Sequence, residues 1–426
     1  MEPYAESVKS PPSPSAVTVF VEKEYDDPAQ QQQDGVDLED KKQAGDQSDS
    51  DDESMTSSDS LHRSYTTPTN MTTTAAATAT KVDRHGFIIG HRLHDKVSSL
   101  PNPAHTTVIG QRRERKWLHM FQNWDAFVRH SPDRLRRRCY KGIPQAVRSL
   151  AWQHLCGAHK LKEANPGVYN ELLERTTSSD NVDEGTKRWS HTIKRDVPRT
   201  FRHHCMFKED EGQGAEDLYQ VLLVFSAYST NIGYNQALAP LAAVLLMHMP
   251  PDECFWVLVS VCKYFVPGYY GDKMEAMRLD GLIFDRLLRK YLPHVYKHMC
   301  ANNIDPLMYI VEWFVCVYAR CLPFQTVLRA WDMFFCEGVK SLFKIGLAIL
   351  KLVFPDTGSL EGLDDFQTTQ ILLDLPKEVT IDSVLIPEAI GFDIKEREFQ
   401  KHHQEIYREN PELSLTRYYS TTVKID

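Results

Sequence analysis

The 426-residue chain has no apolar stretch long enough to cross a bilayer. The longest, Ala237 to Met249, is interrupted by Pro240 and His248 and stops at Pro250-Pro251, so it reads as a buried helix. No C-x-x-C occurs. Cys139, Cys156, Cys205, Cys254, Cys262, Cys300, Cys316, Cys321 and Cys336 stand singly and in odd number. With no signal peptide in view, they read as reduced thiols of a soluble cytoplasmic protein, mostly core filler. No Gly-rich phosphate loop is present, so the chain lacks the usual equipment for holding a nucleotide itself. No G-x-S-x-G nucleophile element appears either. His203-His204-Cys205 and His402-His403 lack a second pair of ligands at metal-site spacing. Strand-like alternation is absent, which leaves an all-α reading. No fixed-period repeat is visible, which argues against a helical solenoid.

Charge is distributed unevenly. Residues 1–80 carry 16 acidic and 5 basic side chains, a local net charge of −11 against −9 for the whole chain, so the remainder sums to +2. This tail holds Pro11-Pro12-Ser13-Pro14, a Gln run at 30–33, the acidic-serine block 46–53 and a Thr/Ala tract at 72–80. With few apolar residues it cannot offset its ordering entropy, and the expectation is a disordered segment. The acidic serines suit an acidophilic kinase, and equally suit solvating filler.

Structure is expected from about Val82, with Gly86 to Gly90 as a short strand or turn that docks on the rest. Residues 111–130 read as one amphipathic helix, because Trp117, Phe121, Trp124 and Val128 fall at i, i+4, i+7 and i+11. The run Arg134-Leu135-Arg136-Arg137-Arg138, continued by Lys141, is the most basic stretch. It suits nucleic acid, anionic lipid or an acidic partner. The acidic chain and the missing nucleic-acid module speak against the first, and a solvated helix face is the favoured reading. Further helices are predicted over 145–156 (with Val147, Leu150, Ala151 and Leu155 inward), 214–229, 252–265, 278–291, 307–320, 323–335 and 341–353. Ile386 to Glu409 reads as one or two more, and residues 423–426 as frayed.

One stretch carries chemistry. Ile193 to Thr200 presents Arg199 in a Pro-containing turn, with Asp196 three residues before it. Gly233-Tyr234-Asn235-Gln236-Ala237 presents Gln236 at a loop-to-helix junction. A rigid guanidinium and a rigid amide suit phosphoanhydride hydrolysis. There the task is to neutralise charge spreading over γ-phosphoryl oxygens and to orient a water.

These stretches resemble the TBC domains, the GTPase-activating domains for Rab-type small GTPases. Ile193, Asp196, Arg199 and Thr200 match I-x-x-D-x-x-R-T, and Tyr234 and Gln236 match most of Y-x-Q-G. Gly142-Ile143-Pro144, Arg148 and Trp152 are similar to the opening G-I-P-x-x-x-R-x-x-x-W, and Leu328-Arg329-Ala330-Trp331-Asp332, with the phenylalanines that follow at 334 and 335, to L-R-x-W-D-x-x-F. Leu155 to His159, Pro240 to Pro251, Val266 to Gly271 and Leu292 to Val295 resemble one branch of that family. That branch associates with an ezrin-linked PDZ scaffold at the cell cortex.

The resemblance implies an all-helical domain, not an enzyme in its own right, that supplies Arg199 and Gln236 in trans to a GTP-bound Rab. Asp196, Thr200, Tyr234 and Arg148 would be supporting residues. It needs no cofactor of its own, since GTP and Mg²⁺ belong to the partner, and it implies peripheral recruitment to membranes or cortex through partners. Ala237 stands where the family has Gly, Asn235 where it has Cys, and the chain ends in Asp426 where a PDZ ligand ends in an apolar residue. The alternative function is a non-catalytic Rab-binding or scaffold module. The expected organisation is a tail (1–80), an N-terminal flank with the amphipathic helix (81–135), the TBC domain (136–355) and a C-terminal helical extension (356–426).

Overall fold

The computed structural model describes residues 81–89, 105–178, 184–209, 212–271 and 274–410. The tail expected to be disordered and the closing residues expected to fray lie outside the described residues. Eighteen α-helices and no strand occur among those residues, the all-α class that the sequence pattern anticipates.

Helices α1 (His105–Gln122) and α2 (Trp124–His130) cover the region predicted as a single helix. Asn123, at φ −135° and ψ 44°, breaks it. The aromatic stripe survives the break: Trp117 is buried, and Phe121, Trp124 and Val128 pack against the core. Helix α3 (Pro132–Tyr140) opens with Pro132, whose missing N–H would have had no helical partner there. Helices α4 (Gln145–Cys156) and α5 (Ala158–Ala164) meet at Gly157, which adopts the left-handed conformation. In α4 the inward face is Val147, Ala151 and Trp152; Leu150, expected inside, points to solvent.

Then come α6 (Val168–Thr177), α7 (Glu184–Asp196), α8 (Gln213–Tyr228), α9 (Leu238–Leu246) and α10 (Pro251–Ser260). Helix α8 packs on α6, α7, α9 and α10. All of α9 is buried, as a helix apolar on every side must be. The predicted helix over 252–265 changes character at Val261, where a π turn runs to Phe265. Helices α11 (Glu275–Tyr291), α12 (Pro293–Ala301) and α13 (Leu307–Val315) lead to α14 (Phe324–Glu337) and α15 (Lys340–Val353). Residues 340–350 of α15 are buried without exception, making it the core helix of this half. Finally α16 (Asp365–Leu373), α17 (Asp382–Gly391) and α18 (Glu396–Glu409) close the bundle. Helix α17 covers α15 and α14, while α18 lies on α11, tied by Arg286 to Glu405 and Glu409, each at 2.6 Å.

The helix expected over 307–320 stops at Val315, and Val317 and Tyr318 take positive φ values of 46° and 61°. Tertiary bonds hold this strained turn. The indole N–H of Trp331 donates to the Val317 carbonyl at 2.9 Å, and the Tyr318 hydroxyl to the Leu342 carbonyl at 2.8 Å. Ala319 to Leu322 thereby follow the turn outside any helix.

Two distant motifs meet at one carboxylate. Asp332 on α14 is fully buried and accepts from the Ile143 N–H (2.7 Å), Arg148 Nε (3.3 Å) and Trp152 Nε1 (3.0 Å). Arg148 Nη2 returns to the Ile143 carbonyl at 2.6 Å. Burial pushes the Asp332 carboxyl above the ordinary carboxylate range, and Arg148 and the three donors oppose that. Gly142 turns with φ +86°, and a Cβ there would come within 2.7 Å of Arg329 Nε.

Candidate functional site

Asp196 is the last residue of α7, and the chain tightens there into a 3₁₀ turn over Val197–Arg199. Ile193, wholly buried, fixes the end of α7 in the core. The Thr200 hydroxyl donates to the Asp196 carbonyl at 2.8 Å and closes the turn. Asp196 is itself buried. One carboxylate oxygen accepts from Arg199 Nη2 at 2.5 Å, the other from the Tyr234 hydroxyl at 2.8 Å. Burial first, and then the bond to Asp196, pushes the Tyr234 phenol above the ordinary tyrosine range, so it stays a donor. This carboxylate joins the two sequence stretches singled out above.

The Arg199 side chain is 56% exposed despite that tie. Gln236 is also exposed, one residue before Ala237 leads into α9. Its backbone is set locally: the Asn235 side-chain oxygen accepts from the Ala237 N–H at 3.0 Å, and the Asn235 carbonyl from the Leu238 N–H at 2.9 Å. Asn235 thus supplies a turn acceptor that a cysteine could not supply as well. Ala237 sits at φ −67° and ψ −17°, an ordinary helical conformation, so the backbone does not require glycine there. Gly233 is different. It turns with φ +62°, and a Cβ would stand 2.7 Å from the Trp189 ring.

Arg199 and Gln236 line the same cleft, of about 380 Å³, together with Asp196 and Thr200. Its apolar wall is Phe87, Phe201, Pro240, Ala319, Leu322 and Phe324, and Arg320 and His203 add polar groups. Arg148 does not line it; it serves the Asp332 cluster. Phe201 carries φ 46°, an uncommon conformation for a bulky residue, of the kind that gathers at ligand-binding sites.

The flank of residues 81–89 takes part directly. Asp83 Oδ1 accepts from the N–H groups of His85 and Phe87 at 2.8 and 2.9 Å, shaping the loop. Ile88 N–H then donates to the His203 carbonyl at 2.8 Å, and Cys205 N–H to the Gly86 carbonyl at 2.8 Å. Phe87 is pressed against Phe201, His204 and Phe324. Docking of this segment was legible as an expectation, but its place in the cleft was not. Nor are Arg320 and His203, since the apolar helical period of 307–320 runs past the end of α13 at Val315, and the His203-His204-Cys205 stretch suggests only a metal ligand. His204 is buried, bonds the His85 carbonyl and is held below the ordinary histidine range by burial.

Chemically, an exposed guanidinium and an exposed amide on one cleft can meet an anionic group and a polarised water together.

The Rab-GTPase-TBC domain model matches residues 145–356, which include Asp196, Arg199, Gln236 and Asp332. The chain is 40% identical over 325 residues to mouse TBC1 domain family member 10A, covering 76% of this chain and 62% of that protein's length. It therefore spans less than two thirds of that relative. To mouse Carabin it is 39% identical over 327 residues, covering 75% of this chain and 70% of Carabin. The crystal structure of the Chlamydomonas flagellar RabGAP TBC domain matches with a TM-score of 0.52 at 23% identity, over 73% of this chain and 99% of that one. That last likeness concerns the fold. Among the described residues no helix is long and apolar enough to cross a membrane. The chain belongs to the Rab-GTPase-TBC domain family.

Proposed function

We propose that the chain accelerates GTP hydrolysis by a GTP-bound Rab small GTPase, to which it lends Arg199 and Gln236. The observation that carries this reading is their juxtaposition: both are exposed, both line one cleft, and Asp196 ties their two backbone segments together. The nucleotide and its Mg²⁺ belong to the partner.

In this mechanism the guanidinium of Arg199 spans oxygens of the β- and γ-phosphates as charge spreads over them. Its tie to Asp196 positions it without trapping it. The head group is more than half exposed, so the pair is worth less than about 1 kcal/mol and yields to a phosphate. Gln236 holds the attacking water in line, in place of the GTPase's own glutamine. Thr200 and Tyr234 keep Asp196 in position and touch no substrate.

The test uses a Rab whose own catalytic glutamine has been replaced, with phosphate release as readout. The wild-type chain should still accelerate that Rab. Arg199→Ala should lower acceleration by about 10³–10⁵-fold, equivalent to about 4–7 kcal/mol of barrier. Gln236→Ala should be nearly as damaging. No acceleration of the substituted Rab would remove Gln236 from the mechanism, and full acceleration by Arg199→Ala would remove Arg199.

A further inference from the structure

The basic run on α3 has a second basic surface beside it. Arg138 Nη1 donates to the Lys116 carbonyl at 3.0 Å, and Arg113 Nη2 to the Lys141 carbonyl at 2.9 Å. These bonds set α3 antiparallel to α1. They lay the helical edge Arg134, Arg137, Lys141 alongside the edge Arg112, Arg115, Lys116. All six side chains are exposed, and none forms an ion pair among the described residues. The acids nearby are few or engaged elsewhere: Asp133 faces Arg136 at 3.4 Å, and Asp125 faces Lys160 at 3.7 Å. Only Glu114 remains on α1.

Exposed, unpaired cations on two helices joined by these bonds repel one another, which favours an anionic counterpart. One large exposed apolar residue stands among them. Ile109 is 61% exposed and lies three and seven residues before Arg112 and Lys116, on their face. Cations with a protruding Ile on the same helix surface suit the headgroup region of an anionic bilayer. There the charges meet phosphates and serine carboxylates while the aliphatic chain enters the acyl boundary. A nucleic acid would find no use for the exposed Ile109.

We infer that the α1/α3 surface is a docking face for anionic membrane, engaged directly by this chain and independent of the Arg199 cleft. It supplies a means of bringing the chain to a membrane surface that needs neither a spanning helix nor a scaffold.

The experiment is co-sedimentation of the full chain with phosphatidylcholine vesicles, with or without about 30% phosphatidylserine, a composition in the anionic regime. Binding is expected only to the anionic vesicles. It should fall steeply as salt rises from about 0.1 to 1 M, which shortens screening from about 10 to about 3 Å. The fourfold variant Arg112→Glu, Lys116→Glu, Arg137→Glu, Lys141→Glu should bind at least about 100-fold more weakly. It leaves Arg113 and Arg138, which join the helices, in place, and its thermal melting should match wild type. Ile109→Ser should weaken vesicle binding while leaving the salt dependence intact. Arg397→Glu, Arg408→Glu on the outer face of α18 should change nothing. Equal binding by the fourfold variant, or binding of a duplex oligonucleotide with none of vesicles, would overturn the proposal.

Discussion

Asp196 shows how one buried carboxylate organises exposed chemistry. It has two oxygens and two partners, one buried and one at the surface, and the two have opposite consequences on substitution. Tyr234→Phe leaves a buried carboxylate oxygen without its donor. A hydrogen bond to a charged group is worth about 1.5–3 kcal/mol, so the melting temperature should fall by several degrees. Arg199→Ala removes an exposed head group and should cost stability less than about 0.5 kcal/mol. Activity should order the other way. Tyr234→Phe slackens Arg199 only indirectly and should retain measurable acceleration, whereas Arg199→Ala should not. Melting curves and phosphate release on the same two proteins decide this. If Tyr234→Phe were as inactive as Arg199→Ala with an unchanged melting temperature, Tyr234 would be touching substrate and its role here would be wrong.

At the scale of elements, the cleft depends on turns more than on helices. Gly233 is the joint between α8 and the loop that carries Gln236. Gly233→Ala would put a side chain into a left-handed conformation, costing about 1–2 kcal/mol, and drive its Cβ into the Trp189 ring at 2.7 Å. The expected result is a lower melting temperature together with lost acceleration, because the loop must shift to relieve the clash. A variant with unchanged melting and full activity would show that the loop is not held by this contact.

The same contrast explains what was legible beforehand. The turns that carry Arg199 and Gln236 could be read from Pro198 and Gly233, because local residues make local turns, whereas the choice of these two side chains comes from the resemblance to the TBC signatures. The end of α13 could not. The run from Leu307 to Arg320 is apolar with helical period, and nothing in it announces that Val317 and Tyr318 will leave the helix. They do so to satisfy the Trp331 indole and the Leu342 carbonyl, partners that lie 14 and 24 residues away. Ala319 and Arg320 reach the cleft through that turn, and so a candidate site residue was hidden by tertiary override of propensity.

For the molecule as a whole, buried histidines make stability depend on pH. His85 and His154 are each held at about 4, and His248 at about 3, in every case chiefly by burial. Geometry agrees. His154 Nδ1 and His248 Nε2 are buried and without a hydrogen-bond partner, so a proton on either would be a stranded donor, and His85 Nε2 accepts from Arg84 Nε at 3.1 Å, a bond that a second proton would break. An unfolded chain takes up these protons as pH falls through the ordinary histidine value of 6.5, while the folded chain refuses them. Above about 6.5 both states are neutral and the histidines cost nothing. Below it each proton favours unfolding, and the loss deepens until the folded-state value is reached. Thermal melts should therefore be flat from pH 8 to 7 and fall progressively from about 6.5 toward 4. His248 is the sharpest probe, since its ring is packed against Trp152 and Phe324 and is also disfavoured as a cation by Arg148. His248→Leu keeps an apolar group in that space and removes one titration. Whatever it does to the melting temperature at pH 7, the drop between pH 7 and pH 5 should be smaller than in wild type. An equal drop in both proteins would mean that His248 is protonated in the fold at pH 5, and that its packing against Trp152 does not exclude the charge.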